Sequence, residues 1–276
     1  MIISILFFLA ILIITLDSIG SKRLRRQVIK QSKDFFALSE TIDTKRPPEK
    51  TFPEDLKRFL LRAKKIDASP IQTLRLKLKG AQKKEQAKHW QPVEAKQFQT
   101  LNPLAMTYYE DSTPGFLWSI KKYRGIQGKK EWYRRWTFSL FSFNQQQGKD
   151  EQWLNWMHLL ASLPWLPDLA YLTDLHWEKD IRENCVIATI HINGKRIRAY
   201  YTFHTNGQIS SCSCVLDEVL SSTSKVRLSY QYFDFEDVES WRVPLRVKIK
   251  ETQLKSALEA QLKITQLVYN EEFAWW

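Results

Sequence analysis

The chain has 276 residues, of which 43% are apolar and 26% charged, with only 8 glycines and 10 prolines. This composition excludes a collagen-like chain and wholesale disorder, and it supplies enough apolar material for a packed core. The formal net charge is +12, and residues 21–90 alone hold 20 Lys and Arg against 8 Asp and Glu. The excess positive charge therefore directly follows the N-terminal segment.

The first 16 residues carry no charged side chain, and Asp17 ends this apolar run. A membrane-spanning helix needs about 20 apolar residues, so residues 1–20 are predicted to form a single-pass transmembrane anchor. The basic residues follow the run, which by the positive-inside rule places the C-terminal domain in the cytoplasm. Three cysteines, an odd number, also favour a reducing compartment. The alternative is export after cleavage of a signal near Gly20.

Four basic residues directly behind the apolar run, Lys22, Arg23, Arg25 and Arg26, are predicted to contact anionic lipid. A Lys or Arg near an anionic membrane surface contributes about 1 kcal/mol. Nucleic acid is not an expected partner, because no recognised reader motif accompanies these residues.

Residues 21–65 are predicted to form basic juxtamembrane helices and a linker that contains three prolines. From residue 66 the apolar period changes, since Leu74, Leu76 and Leu78 alternate with basic residues as in a half-buried strand. Residues 66–276 are therefore predicted to form an antiparallel β-rich domain. Asn-Gly pairs at 193–194 and 206–207 separate three strand candidates, which predicts two tight hairpins and a three-strand meander.

One helix is predicted within the strands, over residues 150–163. Trp153, Trp156 and Leu160 fall at spacings of three and four and give this helix an apolar face. His158 and Ser162 lie on its other, solvent-facing flank. Together these elements predict an α+β fold, in which an N-terminal transmembrane helix precedes a curled, half-barrel-like, mainly antiparallel sheet packed on one long amphipathic helix.

The segment Pro164-Trp165-Leu166-Pro167 resembles a motif of an uncharacterised bacterial family of membrane-anchored proteins, known only as a domain of unknown function. The resemblance extends over nearly the whole chain through short matching pieces. These are Gly20-Ser21-Lys22-Arg23, Gly80, Trp90, Ala95 to Phe98, Phe116, Trp118, Trp177, Arg242 with Pro244, and Tyr269-Asn270.

This chain departs from the family pattern at two places. Members usually have Glu where Ser162 stands, and a glycine-rich stretch where residues 132–136 stand. The resemblance implies a membrane-anchored β-rich domain and implies no activity.

The sequence contains no phosphate-binding glycine loop, dinucleotide fingerprint or His-Glu-x-x-His motif. His158 and Ser162 are the least unlikely catalytic residues, as a Ser–His pair. No metal site is predicted, because His191, His204, Cys212 and Cys214 fall too far apart in the expected meander to share one zinc ion. No cofactor is expected.

Aromatic residues occur in most of the strand candidates. If one helix covers a curled sheet, an apolar ligand groove remains, and its predicted lining is Trp90, Trp118, Trp136, Trp165 and Tyr201. The sequence therefore favours a non-catalytic, membrane-anchored domain that binds a lipid-like ligand or a membrane partner. A membrane-tethered enzyme of unknown reaction and an electrostatic membrane adaptor stay open as alternatives.

Overall fold

The computed structural model describes residues 52–63, 69–115, 118–127, 130–137, 141–143, 149–217, 226–253 and 256–271, with scattered helical positions between 11 and 34. The helices that follow are α1 (Glu54–Ala63), α2 (Lys149–Ala161) and a short 3-10 helix (Pro167–Tyr171). The strands are β1 (Thr73–Lys84), β2 (Gln91–Leu101), β3 (Leu104–Gly115), β4 (Trp118–Gln127), β5 (Lys130–Thr137), β6 (Phe141–Phe143), β7 (Leu175–Lys179), β8 (Cys185–Ile192), β9 (Lys195–Phe203), β10 (Ile209–Asp217), β11 (Arg227–Val238), β12 (Trp241–Gln253) and β13 (Ser256–Tyr269).

All thirteen described strands form one antiparallel sheet in the order β6-β5-β4-β3-β2-β1-β13-β12-β11-β10-β9-β8-β7. Strands β1 to β6 form one meander and β7 to β13 form another, and the pairing of β1 with β13 joins the two. Leu74 of β1 lies opposite Tyr269 of β13 at this junction. Helix α2 belongs to the connection between the meanders.

Helix α2 contacts β4 and β5 of the first meander and β9, β10 and β11 of the second. Strands β5 and β10 are eight positions apart in the sheet, a separation of about 38 Å if the sheet were flat. A helix is only about 10–12 Å wide with its side chains, so the sheet bends around α2. As a result, every residue from 153 to 166 is buried.

The predicted fold class is wrong in its helices. Helix α2 covers 13 residues, and residues 153–161, whose side chains are described, are buried on all faces, so it is neither long nor amphipathic. Among the described residues, no helix combines the length and the apolar character that crossing a membrane requires. The structure is mostly one large antiparallel sheet with two short α-helices in this part of the chain. Apolar spacing revealed one buried face of α2, but the sheet covers its polar residues as well.

The predicted meander of β8, β9 and β10 is confirmed. The Asn193-Gly194 turn has two residues, because Ile192 pairs directly with Lys195. The second connection is longer than predicted. Phe203 pairs with Ile209, so the hairpin loop spans residues 204–208 and not the Asn-Gly pair alone.

Hydrogen bonds join several segments that carry the family resemblance. The Trp165 indole N–H donates to the Pro244 carbonyl oxygen at 2.8 Å, and the Tyr269 hydroxyl donates to the Trp165 carbonyl oxygen at 2.8 Å. The Asn270 side-chain oxygen accepts from the backbone N–H groups of Gln72 and Thr73 at 2.7 and 3.1 Å. These motif residues hold the segment after α2 against β12 and β13, and the end of β13 against the start of β1.

Candidate functional site

A pocket of about 280 Å³ lies between the end of α1, the loop between β9 and β10, and the adjoining ends of β11 and β12. Its wall combines apolar, cationic and neutral polar residues. They are Phe59, Arg62, Ala63, Asn206, Gly207, Gln208, Phe235 and Arg242. Two arginines and two phenylalanines therefore line the same small space.

Helix α1 forms one side of the pocket. Its buried face consists of Leu56, Phe59 and Ala63, and the Phe59 ring lies 6.3 Å from the Phe203 ring of β9. This packing fixes the helix on the sheet, as expected for an amphipathic helix with an apolar stripe. Arg62 stands in the last turn and is exposed, so α1 presents a cation at its end next to a buried apolar face.

The loop between β9 and β10 forms a second side and is held by its own hydrogen bonds. The His204 N–H donates to the Gln208 carbonyl oxygen at 2.8 Å, and the Gln208 N–H donates to the Asn206 side-chain oxygen at 3.0 Å. Gly207 has φ +81°, and a Cβ there would lie 3.1 Å from Cγ of Arg58. Glycine therefore lets the loop turn in the left-handed region and approach α1 closely.

Arg62 and Arg242 each contact one polar partner among the described residues. The Arg62 guanidinium donates to the Asn206 carbonyl oxygen, and Arg242 Nη1 lies 3.0 Å from Asp237 Oδ1. A guanidinium has five N–H donors in a planar fork, so each arginine keeps donors for a further acceptor. The fork geometry matches a carboxylate or phosphate group.

The predicted groove residues occupy different environments. Trp165 and Tyr201 are buried beneath α2, where the Tyr201 hydroxyl donates to the Leu160 carbonyl oxygen at 2.7 Å. Trp90 is 41% exposed between β1 and β2. The side chains of Trp118 and Trp136 lie outside the described residues. Two of the five predicted groove residues are therefore core residues, and a ligand groove shared by all five stays a prediction.

His158 and Ser162 are buried rather than solvent-facing, because the sheet covers this flank of α2. His158 Nδ1 lies 2.5 Å from the Tyr230 hydroxyl oxygen. The Ser162 hydroxyl donates to the Leu159 carbonyl oxygen at 2.6 Å and accepts from the Gln99 amide at 3.0 Å. Both side chains are thus engaged with other groups, and their catalytic role stays a prediction.

A buried charged cluster surrounds His158. The imidazole stacks on the Tyr108 ring at 6.0 Å, and the Arg124 guanidinium lies 4.3 Å from the centre of that ring. Burial, together with the positive charges of Arg124 and Lys122, lowers the pKa of His158 well below its usual value. Burial alone would raise the pKa of Glu110, but Lys122, at 2.8 Å, holds that pKa below its usual value.

This environment predicts that stability falls on mild acidification. Below about pH 6.5 the unfolded chain protonates His158 while the folded chain does not. The free energy of unfolding should then fall by up to about 1.4 kcal/mol per pH unit. Urea unfolding between about pH 5 and pH 7.5 measures this slope. Glu110 contributes to the pH dependence only below the ordinary Glu pKa of 4.5, which lies outside this range.

His158→Gln should reduce the slope, since its amide group can still hydrogen-bond to the Tyr230 hydroxyl but does not titrate. His191→Gln, at an exposed position on β8, is the matched control and should retain the wild-type slope. Equal slopes for His158→Gln and the wild type would contradict the assignment.

Two of the four basic residues predicted to contact anionic lipid fall at described positions. Lys22 and Arg26 are helical and exposed there, whereas Arg23 and Arg25 lie outside the described residues. Their lipid contact, and the location of the chain in the cell, stay predictions.

Sequence reasoning missed the pocket, although two of its residues carried a signal. Phe59 lies in the segment predicted to form juxtamembrane helices, and Arg242 belongs to the Arg-x-Pro piece of the resemblance. No local sequence pattern distinguishes Arg62 or Phe235 as a site residue, because the pocket forms only where α1 meets strands that are distant in the chain.

A family model described as a family of unknown function (DUF6544) matches residues 43–253. No curated protein matches the chain. Among solved structures, a LolA superfamily protein from Nitrosomonas europaea is similar at 9% identity and a TM-score of 0.36, covering 79% of this chain and 92% of its own. A DUF1329 family protein from Desulfovibrio piger has 6% identity and a TM-score of 0.37, covering 74% and 88%. Scores and identities this low do not establish a shared ligand.

Proposed function

The chain belongs to DUF6544, a family of unknown function, and we propose that it is a non-catalytic binding domain for a lipid-like ligand with an anionic group. The observation that carries this proposal is the pocket in which Arg62 and Arg242 face the same space as Phe59 and Phe235. The arginines would hold a carboxylate or phosphate, and the rings would contact the adjoining apolar chain.

The size of the pocket limits what it holds. Small-molecule sites usually enclose about 300–1,000 Å³, and this pocket of about 280 Å³ is near the lower end. It therefore suits an anionic group with the first part of one acyl chain, rather than a whole two-chain lipid. The remainder of the chain would extend from the opening.

Isothermal titration calorimetry of the full chain with dodecanoate tests the proposal, with dodecanol as the uncharged comparison. A hydrogen bond to a charged group contributes about 1.5–3 kcal/mol, which corresponds to about a tenfold to hundredfold change in affinity. We expect dodecanol to bind more weakly than dodecanoate by such a factor. Arg62→Gln and Arg242→Gln should each weaken dodecanoate binding to a similar extent.

The matched control is Arg227→Gln, which removes an exposed arginine at the start of β11 that does not line the pocket. It should bind dodecanoate like the wild type. Phe235→Ala should weaken dodecanoate binding and leave binding of inorganic phosphate unchanged, because it removes only apolar contact. Wild-type protein that does not bind dodecanoate saturably, or pocket variants that match the control, would refute the proposal.

A further inference from the structure

Three basic residues lie side by side across the middle of the sheet. Arg246 of β12 pairs with Lys263 of β13, and Lys263 pairs with Lys79 of β1. We call these three residues the basic row. Their neighbours Leu78, Val247 and Leu262 are buried, and side chains alternate between the faces of a strand. The basic row is therefore on the opposite face from α2, on the outside of the bend.

Such a row costs stability. Directly opposite residues on neighbouring antiparallel strands have Cβ atoms about 4.5–5.5 Å apart, and like charges at these positions destabilise the pairing. Carboxylates on the flanking strands offset the repulsion at the two outer residues of the row. Arg246 lies 2.8 Å from Asp234 of β11, and Lys79 lies 3.3 Å from Glu94 of β2. For Lys263, in the centre, no ion pair is found among the described residues.

The positive charge continues beyond the row. The same face of β1, β12 and β13 carries Lys77, Lys83, Lys248 and Lys250 in addition. Only one carboxylate shares this face on these three strands, Glu259, which lies 2.8 Å from Lys248. Glu251 of β12 points to the other face, where its charge acts on buried Tyr108, Arg124 and Tyr230.

The chemistry of this face fits an anionic bilayer surface. Its cations are mostly lysines, which are mobile point charges and do not require the bidentate geometry that arginine suits. The face carries no aromatic side chain on these three strands, although aromatic stacking is typical of single-stranded nucleic-acid binding. It also presents a broad sheet rather than a helix or ribbon that enters a major groove.

We propose that the outer face of β1, β12 and β13 docks the protein on an anionic lipid surface. Because it lies on the outside of the bend, the basic row at its centre would meet a bilayer first. Each Lys or Arg near such a surface contributes about 1 kcal/mol, so the repulsion within the row is offset by the lipid charge. This docking does not depend on the pocket.

Vesicle co-sedimentation of the full chain tests the proposal, using phosphatidylcholine vesicles with and without phosphatidylglycerol. The test variant is Lys79→Glu/Lys263→Glu. The matched control, Lys57→Glu/Lys179→Glu, makes the same change in net charge at exposed positions of α1 and β7. Both variants keep residues 1–51 unchanged, so any contribution of that segment is common to them.

We expect binding that requires phosphatidylglycerol and weakens with added salt. The test variant should lose about tenfold or more in affinity relative to the control variant. Thermal unfolding gives an independent readout, because Lys263→Glu alone should unfold at a higher temperature than the wild type while binding less well. A misfolded variant would unfold at a lower temperature.

Two results would overturn the proposal. Equal binding of the test and control variants would show that another part of the chain meets the membrane. If the wild type instead binds duplex DNA in a salt-dependent way and ignores anionic vesicles, the basic face serves nucleic acid.

Discussion

Trp165→Ala should lower the free energy of unfolding by about 3–5 kcal/mol, the usual cost of truncating a buried aromatic residue. The Trp165 side chain is only 2% exposed, and its ring lies 5.5 Å from that of Tyr232. Its loss also leaves the Pro244 carbonyl oxygen without the indole donor, which adds to the cost of the cavity. Urea unfolding monitored by far-UV circular dichroism measures the change.

Trp90→Ala is the matched control, because Trp90 is 41% exposed in the connection between β1 and β2. It removes the same side chain, and we expect a loss of less than about 1 kcal/mol. If both variants lose the same free energy, Trp165 does not join the segment after α2 to β12.

Gly80→Ala should be the second strongly destabilising change, at about 3 kcal/mol or more, because it overpacks a backbone contact. A Cβ at Gly80 would lie 1.9 Å from the Gln261 carbonyl oxygen. Strands β1 and β13 would have to separate at their centre, where the two meanders are joined. Thermal unfolding by calorimetry, compared with the wild type, gives the loss.

Gly194→Ala separates this steric effect from backbone strain. Gly194 has φ +76° and open space around the position of a Cβ, so alanine there costs only the left-handed conformation, about 1–2 kcal/mol. A smaller loss for Gly80→Ala than for Gly194→Ala would be inconsistent with the close approach of β13.

The local pattern of apolar and turn residues predicted strands and hairpins better than it predicted which residues are buried. The alternation of Leu74, Leu76 and Leu78 and the Asn193-Gly194 turn depend on neighbours in the chain, and both are found as strand and hairpin. The alternation of leucines stops at Leu78, two residues before Gly80, whereas β1 continues to Lys84. It continues because Gly80 is a site of close strand approach rather than a terminus.

The burial of α2 could not be predicted in the same way. Apolar spacing indicates one buried face, and it assigned His158 and Ser162 to solvent. Their burial follows from a sheet in which both meanders reach the helix, and this depends on the pairing of β1 with β13. These two polar side chains are buried there because each has a hydrogen-bond partner, Tyr230 for His158 and Gln99 for Ser162.

The candidate site was the least predictable part. Arg62 and Arg242 stand on elements far apart in the chain, and each alone is an ordinary surface arginine. Their common pocket requires α1 to dock through Phe59. Of the aromatic residues that suggested a groove, Trp165 and Tyr201 are buried and Trp90 is exposed, because large apolar side chains fill space in the core as readily as they line a ligand site.

The pairing of β1 with β13 also sets the order in which the chain can fold during synthesis. The first meander is synthesised while the β1 edge is unpaired, because its partner β13 comes last in chain order among the described strands. Contacts between such distant segments close slowly, since a long loop must be ordered first. Until β13 pairs with it, β1 presents an open strand edge, which is the kind of site at which wrong strand pairing and aggregation begin.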